Sequence, residues 1–155
     1  IYQLTWESHK AYLSDGDGRL LKTLPYRGEG WGITTDGERL FLSDGTSTIR
    51  RIDPETFVTE ESICVTLDGK PLDLINELEW VDGSIWANIY LTDAIVEIDP
   101  ETGVVLGYVD MPRLSMYRRT RRGICSLWSR YSKTRNRRNA RCIAYSTFEQ
   151  RYDKL

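Results

Sequence analysis

Apolar and polar positions alternate with a period of two through short runs along most of the chain, as in Ser84-Ile85-Trp86-Ala87-Asn88-Ile89 and Ala94-Ile95-Val96-Glu97-Ile98. A period of two places every second side chain on one face, which predicts half-buried β-strands. The pattern reads strands in IYQLTW, AYLSD, LLKTLPY, LEWV, SIWANIY, AIVEID and VVLGYVD, and almost no helix. Asp82-Gly83 stands between two of these runs. Such a pair favours the tight turn of an antiparallel hairpin, because glycine takes positive φ without a steric penalty.

That hairpin is the second of two related units. Residues 35–56 align without a gap on residues 81–102 at an offset of 46, with nine of twenty-two positions identical. The identities include Asp36/Asp82, Gly37/Gly83, Thr46/Thr92, Ile49/Ile95, Ile52/Ile98 and the Asp53-Pro54-Glu55-Thr56 turn repeated at Asp99 to Thr102. Repeats of about this length, built of short strands and turn residues, are the signature of propeller blades. A four-helix bundle is excluded by the turns. The chain is therefore expected to be all-β, a β-propeller fragment of two to three four-stranded blades. Residues 1–27 form a partial blade, 28–70 and 71–110 a blade each, and 111–155 a basic tail.

The net charge of -2 hides two unlike parts. Residues 1–110 hold 21 acidic and 8 basic side chains, whereas residues 111–155 hold 2 acidic and 13 basic. The tail has no alternation and no Asp-Gly turn, although a third repeat is due near residue 122. Its arginines, with Trp128 and Tyr131, fit a nucleic-acid arm; the reading preferred is a segment outside the evolved repeat, such as a frame-shifted one. On that reading no nucleic-acid partner is expected, and no membrane partner is expected because no apolar run reaches the roughly 20 residues of a membrane span. The chain opens inside a strand without Met, so a missing N-terminal portion is expected.

Candidate chemistry is sparse. Cys64, Cys125 and Cys142 lack the close spacing of a zinc site or a disulfide scaffold. Asp15-Gly16-Asp17-Gly18 suggests calcium, yet the twelfth position of such a loop is Tyr26, where a bidentate Glu is required. Gly28-Glu29-Gly30-Trp31-Gly32 resembles a phosphate loop, but no helix follows it. Its glycines instead suit close approach of inner strands.

The runs IYQLTW, GEGWGITTDGERLFLSDGTSTI, IDPETF and INELEWVDGSIWANIYLTDAIVEIDPETG together resemble the glutaminyl-peptide cyclotransferases of the plant and bacterial type. The resemblance covers residues 1 to about 110. It implies a five-bladed propeller, and a transferase that converts the N-terminal glutamine of a peptide to pyroglutamate with release of ammonia, without metal or cofactor. It further implies a peptide or protein substrate with N-terminal Gln, a monomer when full length, and secretion or a periplasmic location. Carried over by position, Trp6, Trp31 and Asn76 line the substrate pocket, and Asn76 is expected to donate to the γ-carbonyl. Tyr90 stands where relatives have a pocket Trp. Trp80 and Trp86 stay with the core.

The general-acid Glu of relatives falls upstream of Ile1, and a later Lys has no counterpart in the tail. Glu29 sits in a similar Gly-Glu-Gly context in the next blade and is carried as a catalytic candidate beside Asn76, with Glu77 as a substrate-binding candidate. The 155-residue chain alone is expected to be inactive. The alternative is a non-catalytic β-propeller binding module.

Overall fold

The computed structural model describes residues 1–111 and the backbone of 145–147. The charge-reversed tail, with Cys125, Trp128, Tyr131 and Cys142, lies otherwise outside the described residues. Three four-stranded sheets account for almost all the described chain, and no helix occurs in it. The middle sheet is a plain meander of β4 (Gly32–Thr35), β5 (Leu40–Ser43), β6 (Thr48–Ile52) and β7 (Thr59–Cys64), each antiparallel to the next. The following sheet repeats it as β10 (Ile75–Val81), β11 (Ser84–Ile89), β12 (Ala94–Ile98) and β13 (Val105–Asp110). Between them, β8 (Thr66–Leu67) and β9 (Lys70–Pro71) form a small ribbon.

The first sheet holds β1 (Tyr2–Thr5), β2 (Lys10–Ser14) and β3 (Leu20–Pro25). The place that β4 and β10 occupy in the other sheets is taken by β14 (Tyr145–Thr147), which runs parallel to β1. Every other pairing within the three large sheets is antiparallel.

The two repeats make their Asp-Pro turns alike. Asp53 Oδ1 accepts the N–H groups of Glu55 and Thr56, and Asp99 Oδ1 those of Glu101 and Thr102. Each turn closes with a residue at positive φ, Phe57 (59°) and Gly103 (73°). Phe57 is the costlier choice there, and its ring repays this by burial against Tyr2 (6.0 Å) and Tyr26 (5.9 Å). The Asp-Gly turns differ. Asp82 and Gly83 both have positive φ and join Val81 to Ser84 as a two-residue loop. Asp36-Gly37 lies in a four-residue loop between Thr35 and Leu40, where Asp36 Oδ1 instead accepts from Glu38 and Arg39.

Burial follows the alternation and ties the sheets face to face. Leu4, Ala11 and Leu24 of the first sheet share a core with Ile33, Leu40, Leu42 and Ile52 of the second. Phe41, Ile49 and Ile63 of the second share another with Ile75, Leu78, Ile85, Ala87, Val96 and Ile98 of the third. Trp80 stacks on Phe41 at 5.4 Å, and its backbone N–H donates to Thr34 Oγ1 across the seam.

One charge is buried in that second seam. The Arg51 side chain, 5% accessible, bonds Glu61 at 2.6 Å in its own sheet and Glu101 at 2.7 Å in the next, and donates to the Pro100 carbonyl. Its guanidinium lies 5.8 Å from the centre of the Phe41 ring.

Candidate active site

Three loops meet where the sheets adjoin. Trp6 follows β1, Glu29 and Trp31 precede β4, and Tyr90 follows β11. The Gly30 N–H donates to the Trp6 carbonyl at 3.2 Å, strapping the end of the first sheet to the start of the second. No side chain fits at Gly30, because a Cβ there would lie 3.0 Å from the Tyr26 ring and 3.1 Å from Leu4. Tyr26 in turn donates its hydroxyl to the Thr5 carbonyl, and burial pushes that hydroxyl's pKa up. From below, Arg50 donates to the carbonyls of Arg27 (2.6 Å) and Glu29 (3.3 Å), holding the loop that carries Glu29.

Glu29 is the pivot. Its Oε2 accepts the indole N–H of Trp6 at 2.5 Å and that of Trp31 at 2.7 Å, so one carboxylate oxygen is clamped by two aromatic donors from different sheets. Oε1 has no protein partner among the described residues. Bonds from neutral donors to an ionised acceptor are shorter and about twice as strong as neutral ones.

Trp31 is half-buried and held from the second and third sheets. Its N–H donates to the Ser43 carbonyl, and Gly45, at φ 83°, lies under its ring so closely that a Cβ would fall 2.5 Å from it. On the third sheet's side, Tyr90 meets it edge-on at 5.2 Å. The Leu74 N–H to Gly45 carbonyl bond and the Tyr90 N–H to Leu74 carbonyl bond, both 2.9 Å, set Tyr90 there.

Asn76 is fully buried in β10, one strand away. Its carbonyl accepts the Ser43 hydroxyl at 2.5 Å, and Gly32 lets the two strands approach, since a Cβ there would lie 2.8 Å from Glu77 Cα. The Asn76 side chain donates to Asn88 Oδ1 at 3.4 Å, while its own Oδ1 is buried without a partner among the described residues. Asn88 takes one of the two N–H groups on Asn76 Nδ2, so the side chain keeps a second donor. Glu77 spends its N–H on Asn88 Oδ1 at 3.0 Å.

The structure thus gathers Trp6, Glu29, Trp31 and Tyr90 into one contiguous group and sets Asn76 and Glu77 beside it through Gly32 and Ser43. Asn88 was not among the residues singled out from the sequence. Folding the hairpin about Asp82-Gly83 would have found it, because Val81↔Ser84 pairing carried back along the strands puts Asn88 opposite Glu77. Among the described residues no group of three or more His, Cys, Asp and Glu side chains is arranged to hold a metal ion.

Successive four-stranded sheets, joined face to face and carrying an aromatic and carboxylate group at their shared end, define a β-propeller with a polar site between blades. The glutamine cyclotransferase family matches over residues 1–123, and the chain belongs to that family. It is similar to glutaminyl-peptide cyclotransferase of Arabidopsis thaliana, with 36% identity over 118 residues, covering 74% of this chain and 37% of the relative. It is also similar to the crystal structure of Myxococcus xanthus glutaminyl cyclase, with 36% identity and a TM-score of 0.73, covering 79% of this chain and 53% of that one. The chain therefore spans about a third to a half of the length of these relatives.

Proposed function

We propose that the Trp6, Glu29, Trp31 and Tyr90 group, with Asn76 and Glu77 beside it, binds the N-terminal glutamine of a peptide for cyclisation to pyroglutamate. The observation that carries this reading is the Glu29 carboxylate, with Oε2 clamped by two indole N–H groups and Oε1 left for a ligand. A free N-terminal glutamine brings an α-ammonium to meet that oxygen, and a flat carboxamide to lie against aromatic walls.

In the reaction the α-nitrogen attacks the side chain's own Cδ. The N–Cδ bond forms, the Cδ–Nε2 bond breaks, and Nε2 leaves as ammonia. The α-ammonium must first lose a proton, and the leaving nitrogen must gain one. Glu29 Oε1 is the group available to take the first, as a general base. Holding the side chain curled turns an encounter within a floppy residue into a near-attack arrangement. Binding of the glutaminyl end is the part of this reading tested on residues 1–155.

Tryptophan fluorescence during titration with a Gln-initiated tripeptide tests the reading. Saturable binding is expected, lost when the peptide's amine is acetylated, and weakened about tenfold or more in Glu29→Gln, the worth of one charge-assisted bond. Equal binding of the acetylated peptide would refute it. Ammonia release by a chain with the further blades restored separates a cyclase from a binding module.

A further inference from the structure

The loop that carries Glu29 is gripped through three successive carbonyls. Those of Arg27 and Glu29 accept from the Arg50 guanidinium of β6, Nη1 at 2.6 Å and Nη2 at 3.3 Å. The Gly28 carbonyl between them meets His9 Nδ1, in the turn between β1 and β2, at 2.7 Å. A carbonyl only accepts, so that ring nitrogen carries the hydrogen. Gly28 takes φ 79° and faces the guanidinium, since a Cβ there would lie 3.7 Å from Arg50 Nη2 and from Asp44 Oδ2.

Arg50 grips the backbone of Glu29 and leaves its carboxylate to the two indoles. Its ion pair is with Asp44 instead, Nη2 to Oδ2 at 3.8 Å, and the two side chains are only 12% and 21% accessible. Asp44 is set by its other oxygen, which accepts the Thr46 N–H at 3.2 Å and the Thr46 hydroxyl at 2.6 Å. The Tyr26 ring lies 5.9 Å from the guanidinium carbon. Arg50 Nε is buried without a partner among the described residues, so the fork is placed by what Nη1 and Nη2 hold and not by its own full satisfaction.

We infer that Arg50 is a positioning residue for Glu29, and that Asp44 offsets its charge so that the Glu29 carboxylate still draws an ammonium. The inference rests on the glutaminyl reading of the site. A planar fork that holds the carbonyls of residues 27 and 29 together fixes the path of the backbone at Glu29, and with it where Oε1 stands. An uncompensated guanidinium beneath the same loop would repel the ligand's α-ammonium and compete for Glu29. Paired with Asp44, it supplies geometry with little net field.

The test separates grip from charge. Arg50→Lys keeps the charge balance and offers one nitrogen in place of the fork; the double variant Arg50→Met/Asp44→Asn removes both charges and the grip; Asp44→Asn alone keeps the grip and unbalances the charge. Without ligand, hydrogen exchange at the indole N–H groups of Trp6 and Trp31 reads the hold on Glu29. It is expected to quicken about tenfold in the double variant, the worth of about one net hydrogen bond, and by less in R50K. Amides of the second-sheet core such as Leu42 should keep their rate, and D44N should leave the indoles slow.

With ligand, the ratio of affinities for a Gln-initiated tripeptide and its N-acetylated form reads the ammonium contact. The double variant is expected to lower the wild-type ratio about fivefold, and to add nothing when Glu29→Gln is already present, because no carboxylate is left to position. D44N should weaken the free-amine peptide about threefold and leave the acetylated one unchanged, since only the ammonium feels the unbalanced charge. If the double variant does not fold, R50K carries the same comparison.

Unchanged indole exchange or an unchanged peptide ratio in both R50K and the double variant overturns the positioning role. A loss of ratio that persists in full beside Glu29→Gln does the same. Equal affinity of D44N and wild type for the free-amine peptide overturns the charge offset. If the wild type binds neither peptide, or both alike, the glutaminyl reading fails, while indole exchange still decides whether Arg50 holds Glu29.

Discussion

Replacing Glu29 should loosen the seam between the first two sheets as well as the site, and the structure sets the size of the effect. Two indole N–H groups share one carboxylate oxygen at 2.5 and 2.7 Å. A hydrogen bond to a charged partner contributes about 1.5–3 kcal/mol net, so two in isolation would give about 3–6 kcal/mol. The group is only half-buried and both bonds use one oxygen, so water recovers part of the loss. About 2 kcal/mol is then expected for Glu29→Ala and about 1 kcal/mol for Glu29→Gln, whose amide oxygen still accepts. With a urea dependence of about 1–3 kcal/mol per molar, E29A should lower the unfolding midpoint by about 1 M.

A double-mutant cycle isolates the clamp. Trp6→Phe keeps most of the ring and removes one donor, so W6F and E29Q together should cost less than their sum by about 0.5–1 kcal/mol. Fluorescence-detected urea unfolding of the four proteins measures it. A coupling indistinguishable from zero would refute the claim that the indole of Trp6 and the carboxylate of Glu29 act as one unit.

Arg51→Met should cost about 2 kcal/mol in the same assay, less than the roughly 3–5 kcal/mol of a broken buried pair, because Glu61 and Glu101 are 55% and 75% accessible and rehydrate. A loss below about 0.5 kcal/mol would show that this arginine does not tie the second seam. Burial alone raises the pKa of Glu79 above its ordinary 4.5, so its charged form is disfavoured in the folded chain. That penalty is absent below the unfolded value and grows as pH rises toward the folded one. Glu79→Gln should therefore stabilise the chain at pH 7–8 and leave it unchanged near pH 4, as read by thermal unfolding across pH; equal gains at both would contradict the burial argument.

The strands and most turns were legible because a half-buried sheet writes its period into the sequence, and because Asp-Pro and Asp-Gly have few conformations open to them. Asp53 and Asp99 make the same turn at the same offset. The two Asp-Gly pairs do not, since Asp36-Gly37 is followed by charged Glu38 and Arg39 that join the loop, where Ser84 and Ile85 enter the strand at once. Within the site, Glu29 could be named from its Gly-Glu-Gly setting, but not the fact that Trp6 from another sheet would reach the same oxygen. That contact is 23 residues distant along the chain and depends on how sheets dock. Asn88 could be placed opposite Glu77 by folding the hairpin about Asp82-Gly83, but its bond to the Glu77 N–H belongs to a bulge, which no alternation of apolar and polar residues records.

Since Trp6, Trp31 and Tyr90 come from three successive sheets, the site comes into being only once its neighbours have docked. Anything seated there binds the assembled array and not the open chain, so occupancy works as mortar between the sheets. A saturating ligand should accordingly raise resistance to heat across both seams together, linking occupancy of the site to the cohesion of the whole array.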